Sequence, residues 1–183
     1  MSSFSSINRL VQWLDCFSEW SGRIISWLTL LMVLTTFVVV VMRYLFNVGN
    51  IAVQESVIYM HSFVFLLGAA YTLKHDGHVR VDIFYRPLSE RGKAWINLFG
   101  TLLLLLPVSI FILVISWEYV ATSWSQMEGS QEAGGIPYRY ILKSTLIVMP
   151  CMMILQGIAD FGRCLLVLCG HGHLLPTDEE HGL

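Results

Sequence analysis

Apolar residues gather in four stretches that contain no Asp, Glu, Lys or Arg: 24–42, 56–73, 94–117 and 144–159. The first three reach or approach the ~20 residues that carry an α-helix across ~30 Å of hydrocarbon at 1.5 Å per residue. The fourth is 16 residues long, and it lengthens backward through Tyr140, Ile141 and Leu142 when Lys143 extends its amine toward the interface. Backbone groups in lipid must be satisfied inside their own segment, and a β-barrel would need apolar and polar residues to alternate, which these runs do not. The pattern predicts an all-α membrane protein with four transmembrane helices, over about 24–43, 52–73, 94–117 and 140–163, followed by a tail over 164–183.

Upstream of the first run, Ile7, Leu10, Val11, Leu14 and Phe17 share one helical face, while Asn8, Arg9, Gln12, Asp15 and Glu19 fall largely elsewhere. That periodicity predicts an amphipathic helix over 1–23 resting on the membrane surface. No basic head joined to an apolar core and no small-residue cleavage site precedes it, so helix one is expected to act as its own insertion signal. Basic residues then set the orientation. Arg9, Arg23, Lys74, Arg80, Arg86, Arg91, Lys93 and Arg163 lie on one side, against Arg43, Arg139 and Lys143 on the other. The positive-inside rule places both termini in the cytoplasm.

Composition agrees with a single membrane domain. Of 183 residues, 55% are hydrophobic and only 13% charged, against roughly 25% charged in soluble proteins, and the mean hydropathy is +0.64. A net charge of −2 leaves no basic surface for nucleic acid. Cysteine and histidine placement removes most membrane-enzyme chemistry. Cys16, Cys151, Cys164 and Cys169 place no pair in an outward loop, where a thiol oxidoreductase needs one. A di-haem cytochrome needs paired histidines inside its helices, and His61 alone lies in a span, where a neutral imidazole bonded to a neighbouring helix accounts for it. The run Cys169-Gly170-His171-Gly172-His173 reads as a glycine-spaced tail rather than a metal site, since no second ligand cluster accompanies it. No nucleophile-base pair, phosphate cradle or convergent carboxylate pair stands out. The expectation is a protein that is not an enzyme and carries no cofactor or metal.

Two polar features remain. Arg43 ends helix one and Glu55 begins helix two, so an antiparallel hairpin brings them to one interface, where mutual neutralisation is expected to fix the hairpin. Further on, Gly68-Ala69-Ala70 permits close helix approach. Asp76-Gly77 then marks a turn before His78-Val79-Arg80-Val81-Asp82, whose alternation suits a strand or an extended stretch docked on the membrane with its valines down. Pro107 and Pro150 leave the carbonyls of Leu103 and Leu146 without their usual donors, giving kinks that would fit a partner's shape.

Arg43, Asn47, Gln54-Glu55, Gly68-Ala69-Ala70-Tyr71, His78-Val79-Arg80-Val81-Asp82 and Pro137 together resemble the small membrane subunit of tripartite ATP-independent periplasmic (TRAP) transporters. Gly68 to Asp82 is the most specific part of the likeness. Where members often carry a tryptophan ahead of the acidic residue, this chain has Ile51-Ala52-Val53-Gln54. The resemblance implies a sodium-coupled secondary importer of organic anions, commonly carboxylates, in the bacterial inner membrane. A periplasmic binding protein would deliver substrate to a large multi-span elevator subunit, and this chain would be the small scaffold subunit that binds no substrate. It marks Arg43, Asn47, Glu55, Gly68, His78, Arg80 and Asp82 as structural or interface residues. On that reading Trp117, Trp124, Tyr138 and Tyr140 anchor the outer interface, and the loop around Gly134-Gly135-Ile136-Pro137 is available to the binding protein. Membrane lipid is the remaining partner. The competing reading is a homo-oligomeric four-helix transporter or channel, for which Ser56, Tyr59, His61 and Ser62 are the polar candidates.

Overall fold

The computed structural model describes residues 2–78 and 82–170. Among them every regular element is helical: α1 (Ser2–Leu45), α2 (Ile51–Leu67), α3 (Ala69–Lys74), α4 (Asp82–Tyr85), α5 (Glu90–Gly100), α6 (Leu106–Ser125) and α7 (Arg139–Leu168). Four continuous or nearly continuous helical stretches are long and apolar enough to cross a membrane: Asn8–Leu45, Ile51–Lys74, Glu90–Ser125 and Arg139–Leu168.

The first helix departs from expectation. Residues 1–23 were expected as a separate surface helix, yet α1 runs unbroken over 44 residues: it contains no proline, and its one glycine, Gly22, is packed against Tyr71 inside the helix rather than ending it. Its early part is not a free-lying segment either. Val11 and Leu14 are buried against Ala159 of α7, so this stretch docks on the bundle.

Each connection has a local cause. Asn47 adopts φ +52, a left-handed conformation that asparagine tolerates better than most residues. The chain reverses there, with the Val48 amide donating to the Met42 carbonyl at 3.0 Å, and the Asn50 side chain caps α2 by accepting from the Val53 amide at 3.2 Å. Gly68 interrupts the second span: a Cβ added there would collide with the Val64 carbonyl oxygen. The Asp76-Gly77 turn forms as expected, with Asp76 at φ +53 and the Gly77 amide donating to the Thr72 carbonyl at 2.8 Å. Residues 79–81 lie outside the described structure, and Asp82 and Ile83 are already helical. The extended reading therefore does not reach Asp82.

Pro107 acts differently from a simple kink. The helix widens just ahead of it into a π-turn over Thr101–Leu105, with the Leu106 amide reaching the Thr101 carbonyl. Such a bulge re-registers the ladder upstream of the residue that cannot donate. The widened turn needs space, and Gly157 of α7 provides it: a Cβ at Gly157 would stand 2.6 Å from Cδ2 of Leu105.

Helix α7 is the centre of the bundle. It packs against α1, α2, α3, α5, α6 and the π-turn, and Pro150, Gln156 and Leu166 are wholly buried on it. The outward faces of α1, α2 and α6 stay covered in large apolar side chains, as a lipid or protein environment requires rather than water.

Candidate functional site

Two polar clamps close the bundle, one at each end. The hairpin end holds the α1–α2 turn and the loop between α6 and α7. There Glu55, in the first turns of α2, accepts from the Ser130 hydroxyl and from the Ile136 amide at 2.6 Å. The loop is thereby pinned across the start of α2. Ser130 and Ile136 also bond each other, amide to carbonyl at 3.0 Å, which closes a small turn. Gly135 sits inside it; a Cβ there would meet Ser130 and approach Oε2 of Glu55 to 2.7 Å.

Glu128 fastens the other side of the same loop. Its carboxylate accepts from Lys143 of α7 and from the Ser123 hydroxyl of α6 at 2.7 Å, with Arg139 at 3.8 Å. The Lys143 hydrogen bond, then that of Ser123, holds the Glu128 carboxyl below the usual carboxylate range. The Lys143 ammonium also lies 4.0 Å from the centroid of the Tyr119 ring, a cation–π contact.

The tail end holds the start of α1, the end of α3 and the last turns of α7. Gln156 accepts from the Ser18 hydroxyl at 2.6 Å and donates to Asp15 at 3.3 Å. The Arg163 guanidinium forks between Asp15 of α1 and Asp160 of its own helix at 2.9 Å, a geometry that suits two carboxylates at once. Beside this network, Glu19 accepts from Arg23 at 3.0 Å, Lys74 at 2.7 Å and His75 at 2.9 Å. Lys74 is almost wholly enclosed, its side chain 9% exposed, so Glu19 is what compensates a nearly buried ammonium. Gly22 lies against the Tyr71 ring with no room for a Cβ, which sets how closely α1 approaches α3.

The residues singled out from sequence separate accordingly. Arg43 does not pair with Glu55, because the loop's hydroxyl and amide donors already occupy that carboxylate. Arg43 instead lines an exposed hollow of about 500 Å³ with Tyr44, Asn47, Gly49, Ile51 and Gln54. Asn47 reverses the chain and Gly68 breaks α2. His78 is exposed at the polar mouth of a groove of about 930 Å³ between α6 and α7, beside Asp76, Tyr85 and Asn97. Arg80 and the Asp82 side chain lie outside the described residues, as do His171 and His173 of the tail. Trp124, Tyr138 and Tyr140 cluster at the hairpin end, with Trp124 donating to the Ser144 hydroxyl at 2.8 Å and packing edge-on against Tyr140 at 4.7 Å. Trp117 is exposed further along α6. His61 makes no hydrogen bond to a neighbouring helix; it stacks near Phe65 at 6.3 Å on an outward face beside Met32 and Thr36. No disulfide joins the cysteines among the described residues.

Sequence reading missed the tail-end network, although Gln156, Asp160 and Arg163 fall at four- and three-residue steps on one face of α7. A polar stripe inside an otherwise apolar span was the available signal. The loop partners of Glu55 had no such signal, since Ser130 and Ile136 lie in irregular backbone.

Comparison with known proteins decides the lineage of this bundle. The family model for tripartite ATP-independent periplasmic transporters, DctQ component, matches residues 32–166. The chain belongs to that family. A similar curated relative is the C4-dicarboxylate TRAP transporter small permease protein DctQ of Vibrio cholerae serotype O1, 30% identical over 115 residues. That stretch is 63% of this chain and 48% of the relative, so the match spans about half of the relative's length. No solved structure matches the chain. As a DctQ component it is an integral membrane part of a transporter, and its four spans form the body that both clamps hold together.

Proposed function

We propose that this chain is the small scaffold subunit of a sodium-coupled secondary importer of organic anions in the bacterial inner membrane. It binds no substrate itself, and both of its termini face the cytoplasm. Its partners are a large multi-span permease subunit that carries the substrate and sodium sites, a periplasmic binding protein, and surrounding lipid. The observation that carries this reading is where the polar side chains go. Within the described residues Glu55, Glu128, Asp15, Gln156 and Asp160 are all engaged in clamps between helices of the same chain. Sodium and substrate sites need carbonyls and carboxylates converging near midplane on broken helices, whereas Glu55 and Asp15 lie toward the starts of their helices, Glu128 lies in the loop between α6 and α7, and Gln156 and Asp160, inside the fourth span, are taken up by Ser18, Asp15 and Arg163. The basic tail end supports the cytoplasmic placement of the termini, and the pinned α6–α7 loop then offers a preformed surface to the binding protein.

The test is reconstitution in liposomes of this chain with a large TRAP permease subunit and a TRAP binding protein from the same source, beginning with four-carbon dicarboxylates as substrate. Uptake is expected only with all three proteins and an inward sodium gradient. Arg43→Ala and Glu55→Ala are expected to lower the yield of assembled complex while leaving its sodium dependence unchanged. Uptake by this chain alone would instead establish the homo-oligomeric transporter.

A further inference from the structure

The turn between α1 and α2 leaves one charge unmatched. Arg43, Arg139 and Lys143 are the basic residues of the hairpin end. Lys143 and Arg139 share the Glu128 carboxylate, and the acid nearest to Arg43 in sequence, Glu55, is taken by Ser130 and Ile136. No described residue bonds to the Arg43 guanidinium or pairs with it. The hollow around it brings donors and no acid: Tyr44, Asn47, Gly49, Ile51 and Gln54 complete the lining. The side-chain amides of Asn47 and Gln54 each carry two N–H donors, and no described residue bonds to either. The left-handed turn at Asn47, φ +52, and the bond from the Val48 amide to the Met42 carbonyl hold these groups on a fixed backbone.

The surroundings of the hollow say which anion reaches it. Tyr44, Leu45 and Phe46 are 77%, 74% and 66% exposed, and they follow directly on the apolar run of the first span. Exposed aromatic side chains at the end of a span lie level with the lipid headgroups. The hollow therefore opens at the depth of lipid phosphates. A cation at a span's edge needs a counter-charge, and a phosphodiester presents two oxygens to the planar fork of a guanidinium. A volume of about 500 Å³ lies within the ~300–1,000 Å³ of small-ligand pockets, which leaves room for a phosphate with its glycerol.

We infer that this hollow is a binding site for the phosphate of a phospholipid, held by Arg43 with Asn47 and Gln54 as further donors. The leaflet rests on the orientation proposed above, which makes it the outer one. Binding itself needs neither that orientation nor the large subunit, so the site stands or falls apart from the scaffold reading. It gives a use to a guanidinium that the positive-inside rule disfavours on that side and that no described carboxylate of the chain takes up.

The test is native mass spectrometry of the full chain in detergent micelles titrated with phosphatidylglycerol, with diacylglycerol of the same acyl chains as the phosphate-free probe and with inorganic phosphate alone. The wild type is expected to retain phosphatidylglycerol and not diacylglycerol. Arg43→Gln should weaken retention by about tenfold, the worth of one charge-assisted hydrogen bond, and Arg43→Lys by less, since an ammonium keeps the charge and loses the fork. Gln54→Glu sets a carboxylate of nearly the same shape beside Arg43 and should abolish retention in a chain whose melting is unchanged. Arg23→Gln, whose side chain at the other end is 73% exposed, should leave retention unaltered. Equal losses in Arg43→Gln and Arg23→Gln would reduce the effect to general attraction between basic residues and anionic lipid. Retention of diacylglycerol would assign it to the acyl chains, and inorganic phosphate bound as tightly as the lipid would assign the hollow to a free anion. Each of these overturns the inference, as does a wild type that retains no lipid or unchanged retention in Arg43→Gln or Gln54→Glu.

Discussion

Gln156→Leu isolates the contribution of the tail-end clamp. Gln156 is wholly buried, and the Ser18 hydroxyl that donates to it at 2.6 Å is buried as well. Leucine has nearly the volume of glutamine, so the substitution removes the acceptor without opening a cavity. Two opposing effects set the magnitude. A buried hydroxyl stripped of its acceptor costs ~1–3 kcal/mol, but a serine on a helix can turn its proton to the carbonyl one turn back. Hydrogen bonds between membrane helices measured by mutant cycles average ~0.6 and reach ~1.7 kcal/mol. The expected loss is therefore about 1–2 kcal/mol, since Gln156 also donates to Asp15. Ser18→Ala combined with Gln156→Leu removes both partners, and replacing both by apolar groups is nearly neutral. The double variant should thus be more stable than the Gln156→Leu single variant, with a coupling energy of ~1 kcal/mol. Reversible unfolding of the four proteins in mixed micelles measures this. Strict additivity, with coupling below ~0.3 kcal/mol, would refute the reasoning, because residues in true contact depart from additivity by more than that.

Three further outcomes follow from the geometry. Gly22→Ala places a methyl group in the Tyr71 ring and should destabilise the fold by ~1–3 kcal/mol, with Tyr71→Leu in the same chain restoring most of the loss in a thermal melt. Glu55→Gln and Gly135→Ala should each release the loop between α6 and α7, one by weakening the bonds to Ser130 and Ile136 and the other by crowding them; faster hydrogen exchange at Ser130 and Gly135, with α7 unchanged, is the readout. Glu128 supplies a pH dependence. Its folded-state pKa is lowered, so its contribution is present above the ordinary value of 4.5 and is lost as pH falls through the folded value. The melting difference between wild type and Glu128→Gln should accordingly be present at neutral pH and shrink in acid, and a difference that grows in acid would reverse the assignment.

The hydrophobic pattern alone determined the four spans and the all-helical class, because lipid leaves an apolar backbone no alternative to internal hydrogen bonding. Local chemistry was equally legible at Asp76-Gly77, where turn-forming residues act on their own backbone. The motif from Gly68 to Asp82 carried the family. Two expectations failed for one common reason. Arg43 and Glu55 were paired because they are close along a hairpin, yet Glu55 is taken by Ser130 and Ile136, 75 and 81 residues away in the chain. Residues 1–23 read as a surface helix because their apolar residues share one face, yet Val11 and Leu14 of that face pack on Ala159. Periodicity reports which side of a helix is apolar and says nothing of what covers it. Only the tertiary structure decided that Gln156 meets Ser18 across 138 residues, that Gly157 makes room for a π-turn ahead of Pro107, and that one face of α1 stays uncovered. Such pairings depend on how helices are placed in space, and a one-dimensional period of hydrophobicity carries no information about that placement.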